Sequence, residues 1–247
     1  MGRFKRFIVQ LYVMLRHPSS IRLKLKGIRY DHFCELNKKW IKDAGIKTVI
    51  DVGANVGDFA KIVREVLPSA KIYSFEPLPD CFEKMKNALP GDKNFFPVNL
   101  AAGSKEDTLK FYRSFHSPSS SFLEMEDLHK EAFPQSQQGQ SAEPIDVKVS
   151  TLDSIFADKN PERNIFLKID VQGFEKEVMA GAPEILSKTS IVLIEMSFVK
   201  LYKNLPLFHD IYTAMYNHGF KFRGNLAQMV HPGTGEVVQV DAIFVRE

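Results

Sequence analysis

Short apolar runs alternate with longer amphipathic stretches along most of this chain. Val49, Ile50 and Val52 form a β-branched run, and Phe59, Ile62, Val63, Val66 and Leu67 then recur at three- and four-residue spacing as far as Pro68. That periodicity predicts a helix of about three turns lying on a sheet. Ile72, Tyr73 and Phe75 supply a second strand, and 93–100 a third. Residues 108–113 predict an extra strand or hairpin, 145–149 alternate as a strand, and 165–169 and 191–194 are apolar runs of central-strand length, the first broken only by Lys168. A helix carrying Phe208, Ile211, Tyr212, Met215 and Tyr216 follows Pro206. Phe220, Phe222, Met229 and Val230 and the run 242–245 then predict an antiparallel hairpin turning at residues 232–235. The sum is an α/β fold: a doubly wound, mostly parallel seven-stranded sheet with the last strand antiparallel. Ahead of it, Phe33, Leu36, Trp40 and Ile41 predict a helix over 31–44 that roofs one end of the sheet.

The most informative local pattern is the turn Gly53-Ala54-Asn55-Val56-Gly57, which follows the first strand without a spacer. Glycines let the backbone approach a ligand closely, and Asn is among the non-glycine residues that best tolerate positive φ. Glu76 closes the second strand 19 residues after Gly57, near the roughly 20-residue offset at which a carboxylate meets ribose hydroxyls in nucleotide-binding βαβ units. A nucleoside ligand is expected. A dinucleotide places its pyrophosphate over a G-x-G-x-x-G turn, whereas this turn has only Gly53 and Gly57, flanked by Asp51 and Asp58. Those carboxylates repel a pyrophosphate and suit the ammonium and sulfonium of S-adenosylmethionine, with Asp51 toward the methionine end and Glu76 on the ribose. Asp51 and Asp58 capping the following helix is the plainer alternative. Ala54, Asn55, Pro77, Asn99 and Ala101 complete the predicted cofactor set; 99–103 form the loop expected to face adenine, where Asn99 either meets the base or closes a turn.

Two further strands end in acids. Asp170 follows the strand 165–169 and Glu195 the strand 191–194, and ligands in open parallel sheets bind outside such strand ends. Asp170 is the first candidate for a catalytic base and Glu195 the second; capping of the helix from Glu175 is the structural alternative for Asp170. A divalent cation between the two carboxylates is conceivable but not favoured, because no third ligand matches. Residues 114–144 turn to Ser, Gln, Pro and Glu, the composition expected of an acceptor lid. His116, Ser119, Ser120 and Ser121 are its candidate acceptor contacts, with plain turn chemistry of the Ser-Pro-Ser stretch as the alternative, and His129 reads as an ordinary surface residue.

Composition adds one asymmetry. Residues 1–30 hold eight Lys or Arg and no acid, leaving −5 for residues 31–247 within a net charge of +3. In this basic arm Phe4, Phe7, Ile8, Leu11, Tyr12 and Leu15 repeat at helical spacing, predicting a helix that self-associates, packs on the domain or lies on an anionic membrane through residues 1–17. The apolar run is too short to span a bilayer, which takes about 20 residues. No motif for nucleic acid accompanies the charge. Cys34 and Cys81 are the two cysteines, without metal-ligand spacing, so a reducing, cytoplasmic setting is expected, with peripheral contact at the inner membrane surface as the extension of the arm's reading. The domain organisation expected is a basic arm, 1–30, and one catalytic domain, 31–247.

The stretches VIDVGANVGDFA, TLDSIF from Thr151, FLKIDVQGFEKEVMAGA from Phe166, LYKNLPLFHDIYTAMYNHGF from Leu201, and VDAIFVR together resemble the FkbM family of S-adenosylmethionine-dependent methyltransferases, over roughly residues 46–246. The resemblance implies a Rossmann-like class I methyltransferase fold and methyl transfer to a hydroxyl of a sugar, glycolipid or secondary metabolite. It leaves the acceptor unnamed. A nucleoside-binding protein without catalysis and an NAD-linked oxidoreductase are the competing readings.

Overall fold

A computed structural model describes residues 19–114, 119–133 and 144–246. Residues 1–18 of the basic arm predicted over 1–30, His116 and residues 134–143 of the insertion lie outside the described residues. The first strand, β1 (Thr48–Val52), is buried at all five positions, as is β7 (Ile165–Ile169). Continuous burial, rather than alternation, marks a strand covered on both faces, which is why these two, Asp51 and Lys168 apart, read as apolar runs.

Around them β2 (Lys71–Phe75), β3 (Phe95–Val98), β8 (Thr189–Ser197), β9 (Phe220–Val230) and β10 (Val237–Arg246) complete one sheet of order β3-β2-β1-β7-β8-β10-β9. The first five strands in that order are parallel, and β10 runs antiparallel between β8 and β9. The chain order reverses between β1 and β7, so the carboxyl ends of these strands diverge into a crevice. A separate three-stranded sheet, β4 (Ala101–Ala102), β5 (Asp107–Phe111) and β6 (Ile145–Ser150), gathers the strands that the sequence placed at 108–113 and 145–149.

The helices cover the sheet on both faces. On one face α1 (Ser19–Leu25), α2 (Tyr30–Leu36), α3 (Lys39–Lys42), α4 (Asp58–Val66) and α5 (Pro79–Lys86) bury Leu23, Leu36, Ile41, Ile62, Val63 and Met85 against Val49, Ile72 and Phe166. The helix expected over 31–44 is interrupted at Asn37–Lys38, giving α2 and α3. On the other face α7 (Leu152–Phe156), α8 (Glu175–Ala180), α9 (Pro183–Lys188) and α10 (Phe208–Asn217) pack on Ile50, Leu167, Ile194 and Phe244. Thr151 caps α7, its hydroxyl accepting from the Ser154 amide at 3.0 Å.

The described part of the insertion is packed. Ser121 and Met125 are buried, a bridge joins Tyr112 to Ser121, another joins Met125 to Tyr202, and α6 (Asp127–Ala132) follows. His129, expected on the surface, is buried edge-on against Tyr202 at 5.2 Å. It sits on the inner side of a helix too short for its periodicity to be read. Among the described residues no helix is long and apolar enough to cross a membrane.

Candidate active site

The carboxyl ends of β2, β1, β7 and β8, with β10 running back beside them, set five acids along one edge: Glu76, Asp51, Asp170, Glu195 and Asp241, the last paired in register with Glu195. Above this row lies a cleft of about 520 Å³, within the range usual for ligand sites. Its walls include Gly53, Asn55, Glu76, Pro77, Leu100, Ala101, Ala102, Asp170 and Glu195. A smaller lobe of about 280 Å³, lined by Ala54, Phe59, Lys168 and Leu226, shares Gly53, Asn55, Asp170, Glu195 and Asp241 with it.

The turn after β1 has the conformation its composition predicts, with φ +79° at Gly53, +48° at Asn55 and +84° at Gly57. A Cβ on Gly53 would lie 1.8 Å from the Asp170 carbonyl oxygen, so only glycine lets β1 and β7 end this close together. Gly57 has another task. A Cβ there would meet Ala88 at 2.6 Å, and Gly57 lines neither lobe; it lets α4 start tight against the end of α5.

Glu76 is fixed by two amides: Asn55 N–H donates to one carboxyl oxygen and Leu78 N–H to the other, each at 2.9 Å. Burial outweighs these donors and lifts the group to about 7. Asn99 does not line the cleft. Its side-chain amide donates to the Glu76 and Pro77 carbonyls at 2.9 and 3.0 Å, which leaves it closing the turn, while Leu100, Ala101 and Ala102 form the wall.

Asp51, expected to face a ligand, is turned into the sheet and lines neither lobe. Its partner there is Lys168, opposite it on the neighbouring strand. Lys168 Nζ sits 3.3 Å from Asp51 Oδ1, 3.2 Å from Asp170 Oδ2 and 3.3 Å from the Gly53 carbonyl, with the Phe59 ring centroid at 5.6 Å. Burial alone would depress this lysine, but Asp170 and Asp51 override it and the group is raised. A buried cation thus fastens β1, β7 and the glycine turn to one point.

Gln172 was missed by sequence reasoning. Its Nε2 donates to Asp170 Oδ1 at 3.0 Å and to both Glu195 oxygens at 2.9 and 2.8 Å, its Oε1 accepts from the Tyr202 hydroxyl at 2.9 Å, and its carbonyl accepts from Ser121 at 2.6 Å. These contacts orient the amide, since the flipped form would turn its oxygen on two carboxyl groups. The backbone signal, φ +57°, is invisible in a glutamine. Asp170 does not cap α8, which begins at Glu175 after an N-cap Phe174 that makes no side-chain cap bond. Instead Glu175 turns back to accept from Val171 and Gly173 N–H at 3.2 and 3.0 Å.

Burial, with Asp170 next to them, pushes Glu195 well above the ordinary carboxyl value and Asp241 and Glu175 to about 7. His129, by burial, falls to about 4 and is neutral. Phe111, Phe122, Phe133, Ser119 and Ser120 line the cleft with it. Among the described residues no three His, Cys, Asp or Glu side chains converge on a possible metal position.

The acids imply a pH dependence of stability. Glu76, Glu175 and Asp241 keep a proton in the folded protein up to about pH 7, whereas the unfolded chain releases it near about pH 4. Within that window the unfolded state binds fewer protons, so stability falls as pH rises and levels off above it. The denaturant midpoint of the ligand-free protein is expected to be higher near about pH 5.5 than near about pH 8, with Asp241→Asn removing part of the slope. An unsloped profile would show that these groups ionise as in solvent.

The sheet order, the antiparallel strand beside its last parallel one, and the glycine turn hydrogen-bonded to Glu76 at the edge of one cleft define a class I, Rossmann-like methyltransferase domain. The family model described as Methyltransferase FkbM domain matches residues 51–222, and the chain belongs to that family; its domain is of the S-adenosylmethionine-dependent kind. Among similar proteins, Methyltransferase sdnD of Sordaria araneosa is 29% identical over 159 residues, covering 55% of this chain and 60% of that protein. The 2-O-methyltransferase NoeI of Sinorhizobium fredii (strain NBRC 101917 / NGR234) is 28% identical over 176 residues, covering 64% and 67%. The chain thus matches about three-fifths to two-thirds of these relatives' lengths. Among solved structures, Aeropyrum pernix fibrillarin with natively bound S-adenosyl-L-methionine aligns with a TM-score of 0.41 and 11% identity over 81% of this chain and 66% of that one.

Proposed function

We propose that this protein is an O-methyltransferase that moves the methyl group of S-adenosylmethionine to a hydroxyl of a small-molecule acceptor, a sugar, glycolipid or secondary metabolite. The observation that carries the reading is a single cleft whose lining joins Glu76 and the Gly53–Asn55 turn to Asp170 and to the aromatic and hydroxyl side chains of Phe111, Phe122, Ser119 and Ser120. The word "2-O-methyltransferase" in the name of the Sinorhizobium relative supports oxygen as the accepting atom.

The cofactor supplies an already activated methyl group on a sulfonium. What remains for the chain is to align the acceptor oxygen, shut out water and hold the hydroxyl proton as it leaves. Glu195 is raised by burial and by Asp170, and both its oxygens already accept from Gln172, which makes it the second choice. Asp170 is the better one, with its side chain 35% exposed to the cleft, one oxygen accepting from Gln172 and the other beside the Lys168 ammonium. Glu76 would hold the ribose of the cofactor, and Ala101 and Ala102 would line the place of its base.

Titration calorimetry with S-adenosylmethionine, S-adenosylhomocysteine and NAD, followed by an acceptor screen with labelled methyl donor, tests this. Binding of the adenosyl ligands without NAD and label transfer to a hydroxyl are expected. Adenosyl binding with no turnover on any hydroxyl class would favour the non-catalytic nucleoside-binding alternative, and NAD binding alone the oxidoreductase. Glu76→Ala should weaken the adenosyl ligands by about 1.5–3 kcal/mol through loss of charge-assisted hydrogen bonds. Unchanged calorimetric affinity would take Glu76 out of the site.

A further inference from the structure

S-adenosylmethionine carries a carboxylate at the end opposite its adenine, and an acidic site must provide a place for it. The strand-end row Glu76, Asp170, Glu195 and Asp241 provides none, since each member is a carboxyl group. Two cationic side chains line the two lobes among the described residues, Lys168 and Arg29. Lys168 is buried and already shared between Asp51 and Asp170. Arg29 differs on both counts. It lines both lobes, immediately before α2, and its ion-pair partner is Asp31, at 2.7 and 3.3 Å, with both side chains about two-thirds exposed. Such a solvent-exposed pair is worth at most about 1 kcal/mol and is readily exchanged for a ligand.

Beside it His32 lines both lobes as well, and its Nε2 is closed off from solvent without a hydrogen-bond partner. A buried polar atom left unmatched next to a ligand cavity is uncommon and points to a group that ligand would supply. The guanidinium offers the planar pair of donors that fits a carboxylate.

We infer that Arg29 and His32 form a carboxylate-binding subsite that takes the amino-acid end of the cofactor over the Gly53–Asn55 turn, leaving its ammonium and sulfonium toward Asp170. The assignment rests on the methyl-donor reading of the cleft. It adds to that reading a structural task for α2, which packs on α4 and β9: it brings a cation to an anionic edge.

The test compares S-adenosylhomocysteine with 5′-methylthioadenosine, which keeps the nucleoside and thioether and lacks the amino-acid end. Calorimetry is run on the full chain, unmutated and as Arg29→Met, Arg29→Lys and His32→Phe. Arg29→Met is expected to weaken S-adenosylhomocysteine about 10- to 100-fold, the range for a lost charge-assisted hydrogen bond, and to leave 5′-methylthioadenosine within about twofold. Retained 5′-methylthioadenosine binding also certifies that the variant is folded. Arg29→Lys should recover part of the loss as a point charge, and His32→Phe should show a smaller loss with the same ligand selectivity. Equal weakening of both ligands, or no weakening of either, overturns the subsite. An unmutated protein that binds neither ligand overturns the cofactor reading and this assignment with it, and is recognised before any variant is made.

Discussion

Asp170→Asn is expected to lower kcat by about 10²- to 10⁴-fold, the range attributed to a positioned general base, while S-adenosylmethionine affinity stays within about threefold. The substitution keeps the shape of the side chain and its ability to accept from Gln172 Nε2, now 3.0 Å away. What it removes is the capacity to take a proton from the acceptor. Lys168 keeps Asp51 as its counter-ion, so the strand ends should stay joined and the loss should not be one of folding. Parallel losses of denaturant stability and of activity would show Asp170 to be structural. A kcat within about fivefold of the unmutated value would show that alignment alone suffices and that no general base is used.

The order of strands and their directions were legible because the apolar runs are short and the helices between them amphipathic. The glycine turn was legible because Gly53 and Asn55 adopt backbone conformations that their side chains announce. What escaped was whatever depends on which way a polar side chain turns once the strands pair. Asp51 and Asp170 are both acids near the end of a parallel strand, yet pairing with Lys168 pulls one into the sheet and leaves the other at the cleft. Nothing local distinguishes them. Asn99 had two open roles, and two carbonyls within 3.0 Å decided for the turn. The side-chain network through Gln172, Tyr202 and Glu195 spans residues 172 to 202, a separation over which periodicity has no reach. His129 is buried by Tyr202 and the bridge at Met125, a contact between the insertion and the segment before α10 that composition alone reads as lid and loop. The strongest overlooked sign was Lys168 itself, since a lysine inside an otherwise buried strand is almost always paired.

Lys168→Met should destabilise the ligand-free protein by about 3–5 kcal/mol, the cost typical of removing one partner from a buried ion pair. Methionine fills much of the same volume against Phe59, so the loss is electrostatic rather than a cavity. The stranded group is Asp51: it is wholly buried, its Oδ1 has no hydrogen-bond partner, and only the Ser74 hydroxyl reaches its other oxygen, at 3.2 Å. Burial already raises Asp51 even with Lys168 present, and without the ammonium it rises further. A carboxyl raised in the folded state loses stability as pH climbs through the interval between its unfolded and folded values. The deficit of the variant should therefore be small near about pH 4 and grow toward about pH 8. The double variant Asp51→Asn with Lys168→Met removes the stranded charge and should recover well over half of the loss, a coupling that a denaturation cycle of the four proteins measures directly. If Lys168→Met cost less than about 1 kcal/mol at neutral pH, or if the double variant were no better than the single, the buried cation would not be what joins β1, β7 and the glycine turn. Because Gly53 reports to the same ammonium through its carbonyl at 3.3 Å, the single variant should also loosen the turn that the cofactor rests on, and its affinity for S-adenosylhomocysteine should fall together with its stability and return with the double variant.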